Sequence, residues 1–145
     1  MTQATTERSA READERGQPR DLRSTYAHLV EDGSASLIPI SETYWGEVIR
    51  GEHPELEQGR LVSCFDFEKN WASWERHPHG EELVILLRGQ VQLLLEHGDG
   101  VERTRLTEPG QFVSIPRGTW HTVHTEGPCS MLFVTPGRGT EHKPA

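Results

Sequence analysis

From Gly59 onward, apolar and polar residues alternate over short runs, and Pro or Gly interrupts them at intervals. "RLVSCFDFE" places Leu61, Ser63, Phe65 and Phe67 on one face of a strand, because successive strand side chains point to opposite faces. "LVILLRGQVQLLLE" is an apolar run split by Arg88-Gly89-Gln90, and the "HGDG" after it supplies the turn of a hairpin. Short strands continue through "VERTRLTEPGQFVSIPRGTWHTVHTEGPCSMLFVTP", with turn residues at the spacing of an all-β sandwich or barrel. No helix longer than two turns is expected after residue 60.

The chain before Gly59 reads differently. Residues 1–24 hold almost nothing to bury; Thr6 offers a cap for a flickering helix, but no apolar stripe follows to dock it, and a disordered or frayed tail is expected. Residues 25–58 mix aromatic, β-branched and glycine positions, which predicts short strands or an extended arm laid on the barrel as an N-terminal extension. The barrel itself is expected over 59–137, with a polar tail at 138–145.

Bulk composition narrows the function classes. At 145 residues the chain makes one domain with a real core. A mean hydropathy of −0.66 is polar for a globular protein, in keeping with a segment that does not fold. The net charge of −8 argues against a nucleic-acid partner, since no basic stripe exists to displace phosphate counterions. No apolar run approaches the ~20 residues of a membrane span. The N-terminus lacks the apolar region of a secretory signal, so a cytoplasmic location is expected. Cys64 and Cys129, far apart and outside any CxxC, read as small buried hydrophobes in a reducing compartment rather than as a disulfide.

Candidate chemistry concentrates in two stretches. "SWERHPHGEELVILLRG" crowds Glu75, His77, His79, Glu81 and Glu82 ahead of an apolar strand. "GQFVSIPRGTWHTVHT" spaces Gly110, Pro116, Gly118 and His121 as G-x5-P-x-G-x2-H. Pro116 and Gly118 impose a tight turn, so His121 opens a strand from which it can project into a barrel lumen with Val123 beside it. Trp120, Thr122 and His124 then point to the other face.

The second stretch resembles motif 2 of the cupin superfamily, G-x5-P-x-G-x2-H-x3-N, at every position except the last, where Thr125 replaces Asn. The first resembles the end of that family's motif 1, G-x5-H-x-H-x3/4-E-x6-G, through Glu82 and Gly89, and lacks the leading Gly. The resemblance covers roughly residues 60 to 137. It implies a small double-stranded β-helix, or jelly-roll, barrel that holds one divalent metal on three His and one Glu. It also implies a homodimer.

Two registers remain for the metal shell. With the family's four-residue gap before Glu82, His77 takes the second histidine position and Glu75 the first, which makes the set Glu75, His77, Glu82 and His121. Taking His77 and His79 as the pair leaves only Gly80-Glu81 before Glu82 and makes the set His77, His79, Glu82 and His121. The first register is preferred: Glu75 and His77 are two apart and share a face, whereas Pro78 ends the strand and leaves His79 in the turn. Imidazole with carboxylate suits Fe, Mn, Zn or Ni and disfavours Cu(I). Glu75 and His79 are also the candidate proton-transfer groups where they do not ligate.

Other residues carry less. Glu81 reads as solvated, His124 as outer-face packing and His97 as part of a turn, while His28, His53 and His142 carry no signal. Arg88 and Arg117 lie in turns, with a minor role in steering an anion as the alternative. Trp71, Trp74, Trp120, Phe65, Phe67, Phe112 and Phe133 read as barrel core or dimer surface, with an apolar pocket beside the metal as the alternative. The resemblance implies a metal-dependent enzyme acting on a small organic molecule, of dioxygenase, isomerase, lyase or cyclase type. The alternative is a non-catalytic metal- or ligand-binding module, or a sensor.

Overall fold

The computed structural model describes residues 17–145, so most of the segment expected as a frayed tail lies outside the described residues. Among the described residues, eleven strands form two antiparallel sheets. They are β1 (Thr25–Leu29), β2 (Ala35–Pro39), β3 (Arg60–Phe67), β4 (Ser73–Arg76), β5 (Glu82–Arg88) and β6 (Val91–His97). β7 (Gly100–Leu106), β8 (Phe112–Ile115), β9 (His121–Thr125), β10 (Cys129–Thr135) and β11 (Glu141–Pro144) complete them. One sheet runs β2-β1-β3-β10-β5-β8 and the other β11-β4-β9-β6-β7. This is the expected all-β jelly-roll barrel.

The period-two alternation sets the core. Val84 and Leu86 from β5, Val91, Leu93 and Leu95 from β6, and Met131 and Phe133 from β10 point between the sheets and are buried together. Gly89 turns β5 into β6 at φ +85, a left-handed conformation that a side chain adopts with strain. A Cβ there would meet the Pro128 carbonyl oxygen at 2.6 Å. Gly89→Ala is therefore expected to lower the unfolding free energy by about 1–3 kcal/mol, read from the urea midpoint; an unchanged midpoint would refute the role assigned to this turn.

The N-terminal extension adds to the barrel at its edge. β1 pairs with both β2 and β3, and Arg23 ahead of β1 reaches Asp66 on β3 at 3.1 Å. Residues 44–49, inside the segment expected to be short strands or extended arm, instead form a helix, α1 (Tyr44–Ile49). Tyr44 and Val48 face the same side and pack with Tyr26, Leu56 and Leu61 in a second small core. The helix ends in a Schellman motif, with Gly51 N–H bonding Val48 O and Glu52 N–H bonding Glu47 O, and Gly51 at φ +74. A helix of under two turns leaves too short a pattern for periodicity to detect. The polar stretch at 138–145 contributes β11, which pairs along β4. Cys64 and Cys129 are free and buried. Among the described residues no helix is long and apolar enough to cross a membrane.

Candidate metal centre

Glu82, first residue of β5, enters the inward row that continues through Val84 and Leu86, all three at most 1 % exposed. His121, first residue of β9, lies in the opposite sheet and is fully buried. Its Nε2 sits 2.9 Å from Glu82 Oε1. Glu75 lies on β4, directly across from His121 in the strand pairing, so the two side chains share a face; Glu75 Oε1 is 3.4 Å from His121 Nε2. His77 stands one residue past the end of β4, still on the Glu75 side, with Nε2 3.3 Å from Glu82 Oε2 and 3.5 Å from Glu75 Oε1. One donor atom from each of these four residues lies within 4.8 Å of the others.

The two sequence stretches are tied together at this point. Pro116-Arg117-Gly118 turns β8 into β9 with Gly118 at φ +74, and Gly118 N–H donates to the His77 carbonyl at 2.9 Å. The Pro-x-Gly spacing thus sets His121 at a strand start and also anchors the backbone of His77.

Hydrogen bonds on the far side of each ring orient the imidazoles. His121 Nδ1 donates to the Thr119 carbonyl at 3.0 Å, since a carbonyl can only accept. Thr140 gives its one hydroxyl hydrogen to the Gly137 carbonyl at 2.9 Å, so it accepts from His77 Nδ1–H at 2.8 Å. Both rings therefore carry a proton on Nδ1 and turn Nε2 toward the carboxylates. Thr135 Oγ1 donates to Glu82 Oε2 at 2.6 Å and holds that carboxylate in turn.

Electrostatics set the charge of the cluster without an ion. Burial works against charge on His77, but the Glu75 and Glu82 carboxylates beside its Nε2 push it up to about 9. The same opposition leaves His121 pushed up to about 10. Burial would raise Glu75, yet the bonds from His121, His142 and His77 hold it well below the usual carboxylate range. Glu82 is raised by burial and by the Glu75 charge and lowered by the two histidines, which prevail. At neutral pH the cluster is two imidazolium ions facing two carboxylates.

These donors fit a divalent cation. His77 Nε2 is buried and makes no well-aligned hydrogen bond, only ion pairs at 3.3 Å to Glu82 Oε2 and 3.5 Å to Glu75 Oε1. In this 3 %-exposed side chain an ion between the carboxylates would take the nitrogen's lone pair in place of those long contacts. Two imidazole nitrogens and two carboxylates are a donor set for borderline or hard divalent ions. A dication with two neutral imidazoles also carries the same total charge as the two imidazolium ions it would replace.

The remaining candidates fall elsewhere. His79 lies in the turn after Pro78, exposed and outside the cluster, where it lines a surface cavity of about 400 Å³ with Arg60, Glu81 and Arg117. Glu81 is exposed and accepts from Ser114. His124 is half-buried and lines a separate cavity of about 240 Å³. His28 is buried against the Gln58 carbonyl, a structural contact. Sequence reasoning passed over Thr135, Thr140 and His142. His142 pairs with Glu75 across β11 and β4, and its Nε2 is 3.5 Å from Glu75 Oε2.

Residues 65–135, from within β3 to the end of β10, match the family description of the cupin domain. Solved structures similar to this chain include a cupin-2 domain containing protein from Shewanella frigidimarina, at 19 % identity and TM-score 0.44, covering 59 % of this chain and 71 % of that one. Another is a cupin superfamily protein from Desulfitobacterium hafniense, at 21 % identity and TM-score 0.44, covering 52 % of this chain and 65 % of that one. A third is hydroquinone 1,2-dioxygenase from Sphingomonas sp. TTNP3, at 18 % identity and TM-score 0.44. That likeness covers 52 % of this chain and 59 % of that one, so this chain spans less than two thirds of the second and third structures. No curated protein sequence matches the chain. At these identities and TM-scores the structural likenesses carry nothing about activity. The domain match, the jelly-roll sheets and the Pro-x-Gly-x-x-His turn beside Glu82 agree: residues 65–135 of the chain are a cupin domain.

Proposed function

We propose that Glu75, His77, Glu82 and His121 hold one divalent ion of Fe, Mn, Zn or Ni, and that the protein is a metal-dependent enzyme acting on a small organic molecule. The observation that carries this reading is the convergence of four donors, drawn from both sheets and the turn after β4, within 4.8 Å of one another. When bound, such an ion supplies Lewis acidity toward a carbonyl or enolate oxygen or, if redox-active, chemistry with O₂.

The chain's own residues supply the rest. Glu75 is the most accessible of the four donors, at 19 % exposed, and is therefore the group placed to yield a position or to accept a proton from a substrate. His79, outside the cluster, is the weaker proton-transfer candidate. Packed apolar core adjoins the donors. Val84 follows Glu82 on the inward row and pairs with Phe133, which stacks on Phe65 at 4.8 Å. Phe65 in turn meets Trp71 and Trp45. Such packing excludes water from that side of the donors. Dioxygenase, isomerase, lyase and cyclase chemistry all fall within this description.

The test is turnover. Metal-loaded protein should convert some member of a panel of phenols, keto acids and small diols, and chelator-treated protein should not until the ion is restored. Conversion that persists at full rate without metal would refute the enzyme reading.

The burial of His77, Glu82 and His121, each at most 3 % exposed, favours a second reading, a non-catalytic metal- or ligand-binding or sensor cupin. It predicts stoichiometric metal with no turnover anywhere in the panel. A homodimer through the extension belongs to the first reading. Leu29 and Leu37, exposed on one face of the β1–β2 hairpin, support it, and sedimentation velocity tests it.

A further inference from the structure

The last strand of the chain reaches the donor cluster at two points. In the strand pairing, His142 of β11 lies opposite Glu75 of β4, and Glu75 lies opposite His121 of β9. Directly paired residues of antiparallel strands point to the same face, so His142, Glu75 and His121 form a row across three strands. Glu75 turns Oε1 to His121 at 3.4 Å and Oε2 to His142 at 3.5 Å. Two residues before His142, Thr140 accepts the Nδ1–H of His77 while its own hydrogen goes to Gly137.

This segment is fastened independently of the cluster. Glu141 pairs with Arg76 at 2.8 Å and Lys143 with Glu96 at 2.6 Å. Lys143 Nζ also stands 4.6 Å over the Trp120 ring, and Ala145 N–H bonds the Ala72 carbonyl. Glu75 and His77, the two donors this segment touches, are carried on the short β4 and the turn after it.

We infer that Thr140 and His142 are positioning residues of the metal centre, Thr140 by holding His77 with Nε2 toward the ion and His142 by holding the outer oxygen of Glu75. The inference rests on the metal reading above. Partners of this kind fix ring orientation and carboxylate geometry, and their loss typically weakens metal binding by about 10–100-fold. Neither residue ligates, so their removal weakens binding without abolishing it.

The experiment is a titration of metal-stripped full-length protein with Co²⁺ alone, followed by calorimetry and by visible absorption, for the wild type and five variants. The wild type is expected to bind one equivalent and His121→Ala none. Thr140→Val and His142→Ala should each raise Kd about 10–100-fold and alter the absorption bands. Thr140→Ser and His142→Gln, which keep an acceptor and a donor, should return Kd to near the wild-type value. His142 is 42 % exposed, so its variants test the idea even where Thr140→Val fails to fold. Unchanged Kd and bands in both Thr140→Val and His142→Ala, with normal wild-type binding, would overturn this inference and leave the metal reading standing. An effect in one variant alone would remove the other residue's role. No binding by the wild type would overturn both.

Discussion

Glu82→Gln is expected to cost the protein its metal and about 3–5 kcal/mol of stability together, the range measured when one partner of a buried ion pair is removed. Glu82 is 1 % exposed, and its two oxygens accept from His121 and Thr135. The amide is nearly the same shape, so the loss does not come from a cavity. It comes from two imidazolium ions left facing a single carboxylate, and from an amide N–H₂ pointed at a histidine or a threonine that both donate. One imidazole must then shed its proton, which limits the penalty and separates the variant from wild type most clearly below neutral pH. Urea unfolding and elemental analysis on the same sample check both losses. A variant with wild-type stability and metal would show that Glu82 is not held by the charges described here.

Metal uptake should release close to two protons at about pH 7.5. In the protein without an ion, His77 loses its proton near 9 and His121 near 10, because Glu75 and Glu82 stabilise the charged rings. An ion takes only the neutral imidazoles, so each must give up a proton on binding. The sign follows: affinity rises with pH, by up to about a hundredfold per unit below about 9, and levels off above the two histidine values. Imidazoles with the ordinary value of about 6.5 would release only about 0.2 protons between them at that pH. Calorimetry in buffers of different ionisation enthalpy counts the protons directly. A count near zero would mean that the rings are neutral before the ion arrives.

The barrel and the proximity of its four central donors were legible because each leaves a local mark. A spacing of two puts Glu75 and His77 on one side, Pro116 and Gly118 force the turn that starts β9 at His121, and Glu82 stands at the head of a row of buried aliphatics. His77 nonetheless sits just beyond β4 rather than within it, because Pro78 ends the pairing one residue earlier than the motif suggests. What stayed hidden depends on contacts between distant segments. Thr140 meets His77 across 63 residues, Thr135 meets Glu82 across 53, and β11 looks like any polar terminus until β4 is there to pair with it. His142 is the clearest case, a histidine with no motif around it that the sheet register places against Glu75. α1 was missed for a different reason, since six residues with two apolar anchors do not complete a readable helical period.

The central claim is that Glu75, His77, Glu82 and His121 share one divalent ion, and elemental analysis tests it most directly. The protein would be purified without chelator or an affinity metal, beside His121→Ala and His79→Ala. The account predicts near-stoichiometric Fe, Mn, Zn or Ni in the wild type, the same in His79→Ala, and none in His121→Ala. Metal lost from His79→Ala, or a wild type that takes up none of the four ions when each is added back, would contradict it.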